Sequence, residues 1–329
     1  MKKYVLGVDG GGTKTHYAIY NIEDRKLKVI EGSAANHEVM EGGFAQLEAT
    51  LGNKLNELCS HLNIDISDIG MSVWGLAGVD TKEQHKVISD ILVNIGIEKF
   101  VLCNDSYLGI KAGSKNGYGL CANNGTGFTV SAIDAYGDMV QIGGLGAYTG
   151  DNGGGSVMVA SAINKVYEHL YKMGDETRMK HMMFDKYNID DKSDFTQIIT
   201  KALDESYNET LLEISKFLYQ AANDDDEVAL DILRNVGIEY GKSICGAMNE
   251  LNFDKSEKLE IILTGSQFVK GSNRTAIDTL KEYVDTKSLE QAFVYKVLEQ
   301  SCSMGAVLWA LEMLGIKDDH YYDVVECFK

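Results

Sequence analysis

Three consecutive glycines, a threonine and a lysine follow an apolar run that ends in an aspartate, in the segment VLGVDGGGTKT (residues 5–15). Consecutive glycines let the backbone turn sharply and bring its N–H groups close to a ligand, as phosphate-binding loops do. Asp9, at the end of the apolar run, is a candidate ligand of Mg²⁺, directly or through water. The segment therefore predicts a phosphate site with a magnesium ion beside it.

The spacing within this segment separates it from two common phosphate loops. A Walker A loop requires G-x-x-x-x-G-K-[ST], but Thr13 stands between Gly12 and Lys14, so the lysine is out of register. A Rossmann loop opens a helix, whereas THYAIYN (residues 15–21) is rich in β-forming residues. The segment therefore predicts a β-hairpin whose tip binds phosphates, with an ordinary tight hairpin as the alternative.

A second turn repeats this arrangement in NNGTGFTV (residues 123–130), where an Asn-Gly-Thr-Gly turn joins two β-like runs. One such turn is a weak hairpin signal. Two of them, each opening one half of the chain, indicate that the phosphates of a nucleotide lie between two lobes. The backbone N–H groups of residues 10–13 and 125–127 are the expected donors, with the hydroxyls of Thr13 and Thr126.

Phosphoryl transfer also requires a base for the attacking hydroxyl. Asp105 follows an apolar strand in KFVLCND (residues 99–105) and is the candidate. The alternative is that Asp105 only caps a helix over SYLGIKAG (residues 106–113), since aspartate is a favourable N-cap.

The elements that must position these residues are visible as periodic patterns. The first half reads as β-β-β-α-β-α-β, with Asp80 as the N-cap and Gly96 as the C-cap of the second helix. The predicted elements are strands over 4–9, 15–21, 26–33, 69–78 and 99–105, and helices over 43–62 and 80–96.

The second half begins the pattern again. It opens with two strands around the second turn and continues with a helical region over about 157–252. A strand and turn over 258–271, a helix over AIDTLKEYV (residues 276–284) and a strand over AFVYKVL (residues 292–298) follow. A helix over 303–314 is the last predicted element. The glycine-rich segment KAGSKNGYG (residues 111–119) is the expected hinge, so the predicted domains are 1–115 and 116–329.

Composition excludes several classes of protein. The chain has 329 residues and a net charge of -18, which argues against nucleic-acid binding because that requires a basic surface. The sequence has no run of 18 apolar residues and no leader pattern, so we expect no membrane association and a cytoplasmic protein. Its six cysteines show no CxxC pairing and are expected to be reduced and mostly buried.

Together these motifs resemble the actin-like ATPase superfamily and, within it, the N-acetylglucosamine kinase group of the BadF/BadG-type ATPases. GVDGGGTKT and NNGTGFTV resemble the two phosphate motifs, ILTGSQFVKG (residues 262–271) the adenosine motif, and SMGAVLWAL (residues 303–311) the closing helix. SAANHEV, GLAGVD, CNDS and GGLGAYTGDNGGGS fall in the family's order. The resemblance spans essentially the whole chain.

This resemblance implies an α/β fold with two actin-like, ribonuclease H-like domains, a nucleotide cleft between them and helical additions in the second. It implies that the last helix packs back on the first domain. The implied activity is ATP- and Mg²⁺-dependent phosphorylation of the 6-hydroxyl of an N-acetylated amino sugar, N-acetylglucosamine first. The expected partner is this small-molecule sugar, and a homodimer is left open.

The turns and the resemblance together assign the site residues. ATP and phosphate are assigned to Gly10, Gly11, Gly12, Thr13, Lys14, Asn124, Gly125, Thr126, Gly127, Gly265 and Ser266. The sugar is assigned to Asn36, His37, Asp105, Thr126, Gly127, Gly144, Leu145, Gly146, Ala147 and Asp151. From the residues alone, Asn36 could form only a loop Asx-turn, His37 could be structural, and Asp151 could only cap a helix.

Two residues depart from the family pattern, which reads GGWGxxxGDEGS in the third glycine-rich segment. Leu145 replaces the tryptophan and Asn152 the glutamate. Because Leu145 leaves room that a tryptophan would fill, N-acetylmuramate and glucosamine stay open as alternative substrates.

Two rival functions come from other classes. One is an ATPase activator that reduces a dehydratase through a dimer-bridging iron–sulfur cluster. It requires a cysteine pair presented at the subunit interface, whereas Cys103 and Cys121 fall in predicted strands. The other is a sugar-sensing regulator, whose appended helix-turn-helix is not expected before a first strand at residue 4.

Overall fold

A computed structural model describes residues 2–329, with Ala147 described only in its backbone. The first sheet has strand order β3-β2-β1-β4-β5, antiparallel over its first three strands and parallel over β1, β4 and β5. Its elements are β1 (Tyr4–Gly10), β2 (Lys14–Asn21), β3 (Lys26–Ser33), α1 (Gly43–Leu62), β4 (Ile69–Leu76), α2 (Lys82–Asn94), β5 (Phe100–Cys103) and α3 (Ser106–Gly113). The predicted β-β-β-α-β-α-β order is confirmed.

The second sheet repeats this arrangement with strand order β8-β7-β6-β9-β10. Its strands are β6 (Gly119–Asn124), β7 (Phe128–Ile133), β8 (Met139–Gly143), β9 (Leu259–Thr264) and β10 (Phe293–Val297). Strands β6, β7 and β8 are antiparallel, whereas β9 runs parallel to β6 and β10. We call the first sheet with α1 and α2 the first lobe, and the second sheet with its helices the second lobe.

The predicted helical region of the second half is also confirmed. It contains α4 (Gly155–Tyr171), α5 (Arg178–Tyr187), α6 (Phe195–Glu205), α7 (Tyr207–Asn223) and α8 (Glu227–Glu250). The remaining helices are α9 (Ser266–Lys270), α10 (Thr275–Lys287), α11 (Ser303–Met313) and α12 (Lys317–Cys327).

Helix α12 corrects the prediction that the helix over 303–314 is the last element. Gly315 adopts a positive φ of 72° after α11, which ends one helix and lets the chain start another. Within α12, Val324 is buried in the core and His320 accepts or donates a hydrogen bond with the buried Tyr20 hydroxyl at 3.1 Å. The helix is therefore held by packing against α11 and against strands β2 and β3, which its own polar sequence does not indicate.

Helices α3 and α11 pack between the two sheets. Helix α11 contacts β1 and β4, α3 contacts β6, β7 and β9, and the two helices contact each other. Glycines allow this close approach: a Cβ at Gly305 would lie 2.1 Å from the Leu108 carbonyl oxygen, and one at Gly109 2.4 Å from Cys121 Sγ. The boundary between residues 115 and 116 stays a prediction.

Two further expectations concern the whole chain. Within residues 2–329, no helix combines the length and the apolar character that a membrane span needs. All six cysteines are free, and Cys59, Cys103 and Cys121 are buried, whereas Cys327 is exposed.

Candidate active site

The first glycine-rich turn joins two antiparallel strands. Gly10 of β1 pairs with Thr15 of β2, and the Gly11 N–H donates to the Lys14 carbonyl oxygen at 3.0 Å. The predicted strand–turn–strand arrangement is therefore confirmed. No helix follows the turn in this described segment, so the Walker A and Rossmann alternatives do not apply.

The second turn, between β6 and β7, is braced by the start of α4. The Gly155 N–H donates to the Gly125 carbonyl oxygen at 3.0 Å, and the Ser156 N–H donates to that of Thr126 at 3.0 Å. A Cβ at Gly154 would lie 2.7 Å from the backbone carbon of Gly127. Glycine at 154 therefore lets α4 press its N-terminus against the turn.

The segment between β9 and α9 also packs closely against the second turn. Gly265 has a φ of 87°, and a Cβ there would lie 2.3 Å from both the carbonyl carbon and the oxygen of Asn124. Asn124 is buried, and its Oδ1 has no hydrogen-bond partner among the described residues. Ser266, the first residue of α9, lines the cleft above.

A cleft of about 1080 Å³ lies between the two turns. Residues of both lobes line it, including Gly11, Gly12, Thr13, Gly125, Thr126 and Gly127. Its carboxylates are Glu38, Glu41, Asp80, Asp105 and Asp151, and the described lining contains no Lys, Arg or His. An anionic wall of this kind would bind a nucleotide's phosphates only together with a cation, which fits Mg²⁺.

Asp105 stands half-buried at the end of β5, where α3 begins. It occupies the N-cap position, but its side chain makes no capping hydrogen bond. Asn104 does this instead, since its Oδ1 accepts from the Ser106 N–H at 2.9 Å. The alternative that Asp105 serves as the side-chain cap of this helix is therefore wrong, and its carboxylate lines the cleft.

The surroundings of Asp105 suit it to accept a proton. Burial, followed by the charges of Asp9 and Asp80, raises the pKa of Asp105 to about 7. A carboxylate with a pKa near neutrality is a much stronger base than an ordinary aspartate and is still ionised in part at neutral pH.

This pKa predicts the acid limb of the pH profile. Because the base acts only when deprotonated, we expect kcat/KM for the acceptor to fall about tenfold per pH unit below about pH 7. Steady-state rates from pH 5 to 9 at saturating nucleotide would measure it. A profile flat down to pH 5 would contradict the assignment of this pKa to the essential base.

Asp9 lies near the end of β1, just before the first turn, and does not line the cleft. Its Oδ2 is 4.0 Å from His16 Nδ1, and this contact raises the pKa of His16. Across residues 2–329, no three His, Cys, Asp or Glu residues are grouped to hold a metal ion. A magnesium ion at Asp9 would thus depend on phosphate and water ligands, as Mg²⁺ commonly does.

Other predicted nucleotide and sugar residues lie off the cleft wall. Lys14 Nζ pairs with Glu31 at 3.0 Å on the exposed face of the hairpin.

His37 stacks on Phe44 with ring centroids 4.0 Å apart, and its Nδ1 is buried without a partner among the described residues. Leu145 is 49% exposed. Gly10, Asn124 and Gly265 do not line the cleft, and the side chain of Ala147 lies outside the described part.

Asn36 and Asp151 both line the cleft, together with Gly144 and Gly146. Asn36 Oδ1 accepts from the Glu38 N–H at 2.9 Å, so it does form the Asx-turn given as the alternative.

Asp151 holds its own loop. Its Oδ2 accepts from the N–H groups of Gly144 at 2.9 Å and Gly146 at 2.6 Å, and its Oδ1 accepts from Thr149 Oγ1 at 2.7 Å. It caps no helix, because Gly154 is the N-cap of α4. The alternative that Asp151 only caps a helix is therefore wrong.

Asp80 lines the cleft, although the sequence analysis assigned it only to a helix cap and not to the site. The predicted N-cap role is wrong, because Thr81 caps α2 by accepting from the Gln84 N–H at 3.2 Å. Asp80 Oδ1 instead accepts from Asn104 Nδ2 at 2.9 Å and Gln141 Nε2 at 2.6 Å. Burial raises the pKa of Asp80. Its place after a buried strand, in GLAGVD, is the signal that could have marked it.

Comparison with known proteins matches residues 6–310 to the model of the BadF/BadG/BcrA/BcrD ATPase family. The N-acetylmuramic acid/N-acetylglucosamine kinase of Clostridium acetobutylicum is 23% identical over 286 residues, covering 86% of this chain and 90% of the relative. The N-acetyl-D-glucosamine kinase of Dictyostelium discoideum is 22% identical over 320 residues, covering 94% and 98%.

A solved structure from Chromobacterium violaceum, named as a candidate N-acetylglucosamine kinase, has a similar fold. It is 19% identical, covers 93% of this chain and 98% of its own, and has a TM-score of 0.66. This similarity confirms the predicted fold class.

Proposed function

Because this chain belongs to the BadF/BadG/BcrA/BcrD ATPase family, we propose that it transfers the γ-phosphoryl group of ATP to the 6-hydroxyl of an N-acetylated amino sugar. N-acetylglucosamine is the first substrate, since both curated relatives carry it in their names. The observation that carries the proposal is the half-buried Asp105, which faces a cleft between two glycine-rich hairpin turns from opposite lobes. Such a cleft brings a phosphate donor and a hydroxyl acceptor together.

In the proposed reaction, the N–H groups of both turns hold the phosphates, and Thr13 and Thr126 add their hydroxyls. Asp105 accepts the proton of the 6-hydroxyl as its oxygen bonds to the γ-phosphorus, and the bond from that phosphorus to the β–γ bridging oxygen breaks. Mg²⁺, when bound near Asp9, would neutralise charge on the phosphates. The acidic wall makes this neutralisation necessary.

The sugar is proposed to lie between Asn36 of the first lobe and the loop held by Asp151 in the second. Because Asn36 Oδ1 and both Asp151 oxygens already accept hydrogen bonds from their own loops, each would orient the sugar with its remaining hydrogen-bonding capacity. We propose the two domains as 1–115 and 116–329, with α11 completing the first. An ATP-consuming kinase of small sugars is proposed to act in the cytoplasm, where ATP is held.

N-acetylmuramate is the second candidate substrate, because the name of the Clostridium acetobutylicum relative includes it. The positions of the cysteines argue against the alternative function, an ATPase activator with an iron–sulfur cluster. Cys103 and Cys121 are buried in β5 and β6, so they do not form a surface pair that could meet a second subunit.

A panel of acceptors tests the proposal. We expect ADP release in the presence of N-acetylglucosamine to exceed the sugar-free rate, with a higher kcat/KM than for N-acetylmuramate, glucosamine or glucose. Coupled ADP assays and mass spectrometry of the phosphorylated sugar would measure it. ADP release that none of these sugars changes would refute the proposed function. Iron bound to the purified protein would instead support the alternative function of an iron–sulfur ATPase activator.

A further inference from the structure

Asp80 receives hydrogen bonds from both lobes on a single oxygen. It lies between β4 and α2 of the first lobe, where Asn104 donates to its Oδ1 at 2.9 Å. Gln141, on β8 of the second lobe, donates to the same oxygen at 2.6 Å. Asp80 is half-buried and lines the cleft. These contacts make it a link across the cleft.

On the first lobe, the link reaches the residue beside the candidate base. Asn104 directly precedes Asp105, and its Oδ1 accepts from the Ser106 N–H at 2.9 Å and from Ser106 Oγ at 2.6 Å. Both ends of this amide are therefore used, one by α3 and the other by Asp80. Turning the amide over would break both sets of bonds, so Asp80 and α3 together fix the backbone that carries Asp105.

On the second lobe, the link reaches the loop assigned to the sugar. Gln141 Nε2 also donates to the Gly143 carbonyl oxygen at 3.3 Å. A Cβ at Gly144 would lie 2.8 Å from Gln141 Nε2 and 3.2 Å from Asp80 Oδ1. The Gly144 N–H in turn donates to Asp151 at 2.9 Å. The loop that carries Asp151 therefore rests directly against Asp80.

We propose that Asp80 is a positioning residue that holds the sugar loop of the second lobe in register with Asp105 of the first. The inference rests on the proposed function, because it gives Asp80 a part in the same reaction. Asp80 acts through Asn104 and Gln141 and not on the reacting atoms. Such a link matters because a misplacement of about 1 Å in an active site can cost about 10²-fold in rate.

A double-mutant cycle with Asp80→Ala and Gln141→Ala tests this role. At saturating ATP, we expect each variant to lower kcat/KM for N-acetylglucosamine by about 10- to 100-fold, with the KM for ATP changed less than about threefold. The double variant is expected to be no worse than Asp80→Ala, because both changes remove one link. Asp80→Asn retains an acceptor oxygen and is expected to recover most of the activity.

Asp285→Ala serves as the matched control. Asp285 accepts a hydrogen bond from the Tyr295 hydroxyl at 2.8 Å within the second lobe and does not line the cleft, so we expect kinetics close to wild type. Additive losses from Asp80→Ala and Gln141→Ala, or a loss confined to the KM for ATP, would overturn the inference. Unchanged kinetics in Asp80→Ala would do the same.

The free energies of unfolding of the same variants, measured in urea, separate this inference from the proposed function. Unfolding does not depend on the substrate, so coupled free energies would support the cross-lobe link and additive ones would overturn it. A wild-type protein that phosphorylates no sugar would refute the proposed function, while the unfolding cycle would still decide whether the link exists.

Discussion

Replacing Asp105 with asparagine is expected to lower kcat for sugar phosphorylation by about 10²- to 10⁴-fold, the usual contribution of a positioned base. An amide cannot accept the hydroxyl proton as the phosphoryl group arrives. The fold is expected to persist, because Asn104 supplies the side-chain capping bond of α3. Steady-state kinetics and thermal melting of this one variant would measure both effects.

The melting temperature of Asp105→Asn is expected to be at or above that of the wild type at pH 8. The folded pKa of Asp105, about 7, lies above the usual aspartate value. The unfolded chain therefore loses this proton first as pH rises, and the wild type loses stability between about pH 4 and 7. Asparagine has no charge to bury and avoids this loss.

Asp90→Asn is the matched control, because Asp90 is an exposed residue of α2 that does not line the cleft. It is expected to leave kcat and the melting temperature unchanged. If Asp105→Asn retained more than about a tenth of the wild-type kcat, Asp105 would not be the base.

Replacing Gly265 with alanine is expected to raise the KM for ATP by about tenfold or more, which corresponds to about 1.4 kcal/mol. A Cβ at this position would lie 2.3 Å from the carbonyl carbon and oxygen of Asn124. These are backbone atoms, which cannot move aside as the end of a flexible side chain can. Gly265 also has a φ of 87° and a ψ of 154°, a backbone region essentially restricted to glycine, which adds a cost of about 1–3 kcal/mol for alanine. The second turn and the start of α9 must therefore separate. Nucleotide titrations and thermal melts would measure both losses.

Gly246→Ala provides the control for adding a methyl group. Gly246 lies inside α8, and a Cβ there meets nothing within 4 Å. Alanine at this position is expected to leave the KM for ATP unchanged and to stabilise the helix by about 0.5–1 kcal/mol. An unchanged KM for ATP in Gly265→Ala would show that contact with the second turn does not shape the nucleotide site.

Local patterns predicted much of the fold. The helix Gly43–Leu62 and the strand Lys26–Ser33 have the predicted bounds, because apolar periodicity and glycine turns act between near neighbours in the chain. Both hairpins were predicted for the same reason. Helix α12 was missed because its stability comes from packing on α11 and on strands β2 and β3, which lie about 300 residues away in sequence.

The sequence alone determined the two glycine-rich hairpins, the strand-end position of Asp105 and the family resemblance, since these depend on residue type and local spacing. Only the tertiary structure decided that Asp105 is half-buried with a pKa near 7, that Lys14 pairs with Glu31 outside the cleft, and that Asp80 joins the lobes. Burial and cross-lobe hydrogen bonds depend on residues far apart in the chain. Their distances are set by how the two sheets pack on α3 and α11, which no local pattern specifies.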